Sequence, residues 1–411
     1  MTSSRVDSGA AEDGAWRELA TPPHSPMRAK IAEALFRRAV RPLDVRVVLP
    51  GGRWLGAGGP EAPCMYLRRP AAFFHRLGVD AKIGFGEAYM VGDWTSDALA
   101  EVLTPFAERM ATLIPPVLQR FRRLVDRRQP ADEENTVDGA RANIHRHYDL
   151  SNDMFATFLD ETMTYSSALY GSSEEALTTA QHRKIDGVLD YAGVREGSEV
   201  LEIGTGWGEL SIRAAQRGAR VTSLTISEEQ AALATKRIAD AGLADRVDVQ
   251  LRDYRLSEGQ YDAVVSVEMI EAVGADYWPA FYRTIGERLR PGGKLGLQAI
   301  TMSHDRMVAS ASSYTWMHKY IFPGGLIPSP ESIETGLAEH AGLKLRAARE
   351  FGQDYARTLR EWRERFTHRW AEVSDLGFDE VFKRMWEFYL AYSEAGFRSG
   401  YIKVRQLSFG R

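Results

Sequence analysis

Glu199-Val200-Leu201-Glu202-Ile203-Gly204-Thr205-Gly206-Trp207-Gly208, followed by Glu209-Leu210, is the stretch that decides the fold. Residues 199–203 are a short apolar run that predicts a strand, and the glycines behind it predict a tight turn. Residues 210–217 then read as a helix. Glycines after a first strand let the backbone approach a ligand closely, and the following helix N-terminus favours negative charge. Dinucleotide enzymes use the same device. Here, however, Gly208 comes one residue too early for Gly-x-Gly-x-x-Gly, and the pattern is Glu202-x-Gly204-x-Gly206-x-Gly208.

Downstream the pattern repeats. Residues 220–225 read as a strand, 228–241 as a helix, and 247–251 and 262–267 as strands. Leu289-Arg290-Pro291-Gly292-Gly293 ends a helix and turns into a strand at 294–298, and 343–350 and 401–408 are the last strands. Strands regularly separated by helices predict an α/β fold with a doubly wound, mostly parallel sheet. In such sheets the ligand lies beyond the carboxyl ends of the strands, at the switch point.

The chain has 411 residues, long for one domain, and its formal charge of −4 gives no sign of a nucleic-acid partner. Cys64 is the single cysteine, which excludes an internal disulfide and argues against a zinc site; no metal is expected. No apolar stretch is long enough to span a bilayer and no signal-peptide layout is present, so a cytoplasmic protein is expected. Residues 1–26 read as a disordered tail, 27–130 as a small α+β N-terminal domain, and 131–411 as the domain carrying the sheet. Pro115-Pro116 ends the N-terminal unit, and the charged stretch 120–135 reads as a linker. Pro50-Gly51-Gly52 breaks an alternating stretch and predicts a hairpin over 44–55. Residues 27–40 form a helix with Ile31, Leu35 and Phe36 on one side and Arg28, Lys30, Arg37 and Arg38 elsewhere. Such a helix either packs on a core or leans on an anionic membrane surface.

The glycine spacing resembles motif I of the class I methyltransferases that bind S-adenosylmethionine. Arg252-Asp253-Tyr254 after the third strand and Leu289-Arg290-Pro291-Gly292-Gly293 before the fifth agree with it. A more specific resemblance begins upstream. Asn143-Ile144-His145-Arg146-His147-Tyr148-Asp149-Leu150-Ser151-Asn152-Asp153 and Met163-Thr164-Tyr165-Ser166-Ser167-Ala168 are similar to the leading segment of the cyclopropane-fatty-acyl-phospholipid synthases. That family includes mycolic acid cyclopropane synthases and actinobacterial enzymes that install a methylene branch on oleoyl lipids. Leu224-Thr225-Ile226-Ser227-Glu228-Glu229-Gln230 and Ser266-Val267-Glu268-Met269-Ile270-Glu271-Ala272-Val273-Gly274 extend it. Tyr320-Ile321-Phe322-Pro323-Gly324-Gly325 and Asp354-Tyr355-Ala356-Arg357-Thr358-Leu359 carry it to roughly residue 405, and Gly86 to Trp94 carries it into the N-terminal domain.

The resemblance implies methyl transfer from S-adenosylmethionine to a cis double bond of a phospholipid acyl chain. An isolated alkene is a weak nucleophile, so the sulfonium must be held in line with water excluded. The transfer leaves a carbocation, and a base must then remove a proton. Proton loss from the new methyl group closes a cyclopropane; formation of an alkene at the methyl-bearing carbon gives a methylene branch. In the family that base is a bound bicarbonate, and the matching positions are Ser167, Glu271, Gln298, Ile300 and Tyr355. Ser167 stands where many members have Cys, and Gln298 where many have His, which favours the methylene branch over ring closure. The cofactor positions the resemblance implies are Tyr165, Ser166, Glu202, Gly204, Thr205, Gly206, Trp207, Gly208, Thr225, Ile226, Ser227, Gln230, Arg252 and Asp253. His145 and His147 lack a third ligand and read as a cap, a structural pair or a cofactor contact.

Tyr314, Trp316, Tyr320, Phe322, Trp362, Phe366, Trp370, Phe382, Trp386, Phe388, Tyr389 and Tyr392 form aromatic stripes, read either as core or as an acyl-chain tunnel over the cofactor end of the sheet. Lys319, Arg363, Arg365, Lys383 and Arg384 on these helices face anionic headgroups or solvent. The partners expected are the inner face of the cell membrane, bound peripherally, unsaturated acyl chains, a reductase acting on a methylene product, and a second copy of the chain in a homodimer. The readings weighed against this one are a small-molecule O- or N-methyltransferase, a dinucleotide-dependent oxidoreductase and a non-catalytic lipid-binding protein.

Overall fold

The computed structural model describes residues 16–110 and 151–411. The chain divides into two compact units, the described parts of which are 16–110, 315–320 and 362–395 in the first and 151–314, 321–361 and 396–411 in the second. The expected linker, the boundary near residue 130, and His145 and His147 lie outside the described residues.

In the first unit, β1 (Arg46–Val48), β2 (Trp54–Leu55), β3 (Cys64–Leu67) and β4 (Trp94–Thr95) form a small sheet in the order β2-β1-β3-β4. The β1–β2 hairpin turns through Gly51 and Gly52, both at positive φ, as the Pro-Gly-Gly break predicts. Residues 16–26 are not wholly a tail: Arg17–Ala20 is a helical turn, Leu19 is buried, and its carbonyl accepts from the buried Arg76 guanidinium. The C-terminal aromatics belong here as well. Phe388 packs on Trp316 (4.8 Å between centroids), Tyr89 (5.5 Å) and Trp94 (6.3 Å), and Trp362, Phe366 and Trp386 are fully buried. These rings are core of the first unit, which agrees with the core reading and corrects their assignment to the sheet domain. A helical aromatic stripe shows that a face is buried without showing what buries it. Lys319 is likewise tied to Glu87 (2.6 Å) and Arg363 to the buried Glu394 (3.0 Å), so neither faces headgroups or solvent alone.

The second unit holds β5 (Glu199–Ile203), β6 (Arg220–Thr225), β7 (Val247–Leu251), β8 (Tyr261–Val267), β9 (Leu289–Thr301), β10 (Lys344–Glu350) and β11 (Lys403–Gly410) in the order β10-β11-β9-β8-β5-β6-β7. β9, β8, β5, β6 and β7 are parallel, and β11 runs against both of its neighbours. Strand residues alternate between two cores. Leu201, Ile203 and Leu297 meet Phe281, Ile285 and Leu337 on one face, while Val200, Val221 and Val265 meet Val188, Ile212 and Ile238 on the other. Strand β9 is longer than expected: Leu289 already pairs with Tyr261, and a register shift between Tyr261 and Ala263 absorbs the Pro291-Gly292-Gly293 segment. Among the described residues no helix is long and apolar enough to cross a membrane.

Candidate active site

The glycine turn leaves β5 at its carboxyl end. Gly204, Gly206 and Gly208 all have positive φ (100°, 51° and 91°), so each needs the freedom that only glycine has at low cost. A Cβ on Gly204 would come within 2.6 Å of the Met269 side chain, whereas one on Gly206 would meet nothing within 4 Å. The turn is therefore packed on one side and open on the other. Beneath it, the buried Glu202 carboxylate accepts from Ser211 (2.5 Å) and Ser223 (2.6 Å), and Ser223 also bonds Thr205 (2.7 Å). Burial raises the Glu202 carboxyl to about 7. Glu202 thus braces the turn from below. Trp207 is buried too; its indole donates to Asn152 (2.7 Å) and its ring packs on Phe155.

At the ends of β6 and β7, the Thr225 hydroxyl bonds Gln230 (3.0 Å), and Ser227 caps the helix Glu228–Asp240 by accepting from the Gln230 amide (3.2 Å). Ile226 and Arg252 are half-buried beside them, the Arg252 amide donating to the Thr225 carbonyl (2.8 Å). The Asp253 carboxylate accepts from the Arg255 amide and guanidinium at 2.7–2.9 Å. Arg237 clamps the segment before Ser167 to the turn, donating to the carbonyls of Thr162 and Trp207 (2.8 Å each) and to Glu209 (2.8 Å). That places Tyr165, half-buried against Phe155, and Ser166 near the turn. Three glycines with one open side, and hydroxyl and amide groups at the adjacent strand ends, fit S-adenosylmethionine.

A second cluster lies where β8 and β9 end. Glu268 Oε1 accepts from the Ser167 amide (3.0 Å) and Gln298 Nε2 (2.8 Å), and Oε2 accepts from the Tyr355 hydroxyl (2.7 Å). The Tyr355 ring stacks on Phe397 (4.4 Å), and Gln406, paired with Gln298 across β11–β9, donates to Gln298 Oε1 (2.9 Å), fixing its amide. Glu271 accepts from the Ile300 amide through Oε1, while its Oε2 is buried without a hydrogen-bond partner. Both glutamates are half-buried as residues, with their carboxylates turned inward. Burial, reinforced by the Glu268 charge, pushes the Glu271 carboxyl up to about 8, and burial raises Glu268 as well. The buried Lys184 ammonium, lowered to about 8 by desolvation, donates to Ser166 (2.6 Å) and attracts Glu268 and Glu202.

Ser167, Gln298, Ile300, Glu271 and Tyr355 therefore do come together, around Glu268. All four donors that the resemblance gives to bicarbonate are held by carboxylates of the chain, so a further anion does not fit without displacing one. In the sequence Glu268 stands out only as part of a family motif, and Lys184 and Gln406 belong to none. No local signal marks them, because their partners are distant in sequence. Among the described residues no cluster of His, Cys, Asp and Glu is arranged to hold a metal.

This sheet order, with a glycine turn at the switch point and ligand groups on the next two strand ends, defines a class I S-adenosylmethionine-dependent methyltransferase. The chain belongs to the mycolic acid cyclopropane synthetase family, whose model matches residues 136–407. It is 49% identical to tuberculostearic acid methyltransferase UfaA1 of Mycobacterium tuberculosis, over 99% of this chain and 97% of the relative. To the cyclopropane-fatty-acyl-phospholipid synthase of Escherichia coli it is 34% identical, over 82% of this chain and 86% of the relative. The crystal structure of mycolic acid cyclopropane synthase CmaA1 complexed with SAH and CTAB superposes with a TM-score of 0.61 at 28% identity, covering 69% of this chain and 99% of that one.

Proposed function

We propose that this enzyme methylates the cis double bond of an oleoyl-type phospholipid acyl chain and releases a methylene-branched product. The observation that carries the reading is the apposition of Met269 to Gly204: the peptide bearing Glu268 and Glu271 lies directly against the cofactor turn. Buried carboxylates next to a methyl-donor site suit a reaction whose cation must lose a proton, and the names of the two relatives place their own substrates among fatty acyl chains. Greater identity to the relative named for tuberculostearic acid than to the one named for a cyclopropane favours the branch over the ring.

S-adenosylmethionine, when bound, supplies the methyl group as an electrophilic sulfonium. In this reading Gly204, Gly206 and Gly208 admit it to the turn, Thr225, Gln230 and Asp253 hold its ribose and base end, and Tyr165 and Ser166 border it. Tyr355 and Gln298 orient the carboxylate that faces the acyl cation. The exposed apolar row Met27, Ile31 and Leu35 on the helix Pro26–Val40, bordered by Arg28, Lys30 and Arg38, meets the headgroup layer of an anionic bilayer. A reductase and a second copy of the chain are the further partners this reading admits.

The test is transfer of labelled methyl from S-adenosylmethionine to vesicles of oleoyl phospholipid, with the product resolved by nuclear magnetic resonance. Exocyclic methylene protons are expected. High-field cyclopropane protons instead support ring closure, and absence of lipid labelling by folded, cofactor-binding protein rejects the reading.

A further inference from the structure

Met163 and Glu268 are the two non-glycine residues with positive φ among the described residues, at 53° and 51°. A glutamate in this left-handed region carries backbone strain that glycine avoids. At Glu268 the strain coincides with a set of contacts: donors from three separate stretches of chain, Ser167 N–H, Gln298 Nε2 and the Tyr355 hydroxyl, converge on its carboxylate at 2.7–3.0 Å. Its own amide donates to the Gln298 carbonyl (2.8 Å), which pins the turn that sets the side chain. A bicarbonate ion and a glutamate carboxylate share a planar, singly charged O–C–O group, so one donor set serves either.

We propose that the Glu268 carboxylate is the base of the methyl transfer, standing where the resemblance calls for bicarbonate, and that this enzyme turns over without that ion. The inference rests on the acyl-methylation reading above and deepens it. Oε1 accepts two hydrogen bonds and Oε2 one, so Oε2 retains a lone pair for a proton. The alkene π pair forms the new C–C bond to the methyl group, and the S–CH3 pair stays on sulfur. A hydride then moves from the methyl-bearing carbon to the cationic carbon. Glu268 takes a proton from the methyl group, and that C–H pair becomes the exocyclic C=C. The glutamic acid afterwards releases its proton to solvent. One proton and one S-adenosylhomocysteine leave per turnover, and no oxidant or reductant is needed.

Glu268→Gly suits the observed φ and removes only the side chain; Glu268→Gln keeps the shape and removes the base. Lipid methylation is measured in carbonate-stripped buffer and with added bicarbonate, alongside S-adenosylmethionine affinity and binding of 13C-labelled bicarbonate by magnetic resonance. The wild type is expected to run equally in both buffers and to bind no bicarbonate. Glu268→Gln is expected to slow by at least about 100-fold with cofactor affinity kept. Glu268→Gly is expected to be silent when stripped, to bind bicarbonate, and to regain saturable activity with it. A wild type that needs or stoichiometrically binds bicarbonate overturns the proposal, as does a cofactor-binding Glu268→Gly that is fully active when stripped or unrescued by bicarbonate. The binding arm decides even if lipid proves not to be the acceptor, so failure of the functional reading shows separately, as absent wild-type turnover.

Discussion

The two ends of the ligand edge of the sheet are built by opposite means. At the end of β5 the backbone itself makes the site: glycines take the left-handed conformations, and the one open side is left free by the absence of side chains. At the end of β8 an equally left-handed position carries a glutamate, and the site is filled by the Ser167 amide and by the side chains of residues 268, 298 and 355. A turn that must accommodate a large cofactor gains from having no side chains. A site that must hold one charge in one orientation gains from donors on rigid, separate elements. The first end should thus be sensitive to added bulk and the second to lost hydrogen bonds, and each should leave the other's function standing.

The sharpest attempt to break that division is Gly204→Ala. The new Cβ meets Met269 at 2.6 Å and forces alanine to φ 100°, so about 2–3 kcal/mol is lost and S-adenosylmethionine binds about 100-fold more weakly. Isothermal calorimetry reads this directly, and cofactor affinity within a few-fold of the wild type would refute the packed-turn account. Next in size is Tyr355→Phe. Removing one donor from a charged carboxylate costs about 1.5–3 kcal/mol, an expected fall in kcat of about 10- to 100-fold with cofactor affinity unchanged. The lost bond favours the protonated Glu268, so the rising limb of the pH–rate profile shifts to higher pH; an unshifted limb would make Tyr355 a packing residue only.

The same contrast explains what was legible in the sequence. Ile203 through Gly208 is contiguous, so strand and turn are legible in one line while the cofactor class needs the wider resemblance, and the sequence pattern predicts β6 and β7 over their observed bounds. Ser167, Gln298 and Tyr355 are legible only through family resemblance, and their shared partner is not legible, because nothing in the sequence places residue 268 between residues 167 and 355. Long-range convergence leaves no periodic mark. Trp362, Phe366 and Phe388 were misplaced for a related reason: their spacing shows a buried face, and only the tertiary structure shows that Phe388 packs with Tyr89 and Trp94.

A smaller effect tests the electrostatics of the carboxylate end. The Glu271 carboxyl is raised from 4.5 to about 8, so across that window the folded chain keeps a proton that the unfolded chain has lost. Its contribution to stability is full below the unfolded value and is lost as pH rises to about 8. Glu271→Gln removes this titration while leaving Glu202 in place. The fall in Tm between pH 5 and 8.5 should therefore be smaller in the variant, by roughly a few degrees. Equal falls in both proteins would show that Glu271 is already solvated.

The smallest effect on catalysis, and a test of whether sensitivity is confined to the sheet, is expected at the helix Pro26–Val40. Met27, Ile31 and Leu35 are 77%, 56% and 38% exposed at four-residue spacing, while Ala29, Phe36 and Val40 are the buried face. A packed helix has no use for such a row in water. A helix lying in a headgroup layer buries it, at about 1–2 kcal/mol per side chain, while the neighbouring basic groups meet lipid charge. Replacing all three residues by serine should weaken binding to anionic vesicles by at least about tenfold, leave cofactor affinity unchanged and lower Tm only slightly, because the buried face of Ala29, Phe36 and Val40 is kept. Turnover on detergent-dispersed lipid should stay near wild type while turnover on vesicles falls. If both fall together, the row supports the fold or the chemistry and the bilayer must be met elsewhere; if neither falls, no bilayer contact passes through this helix.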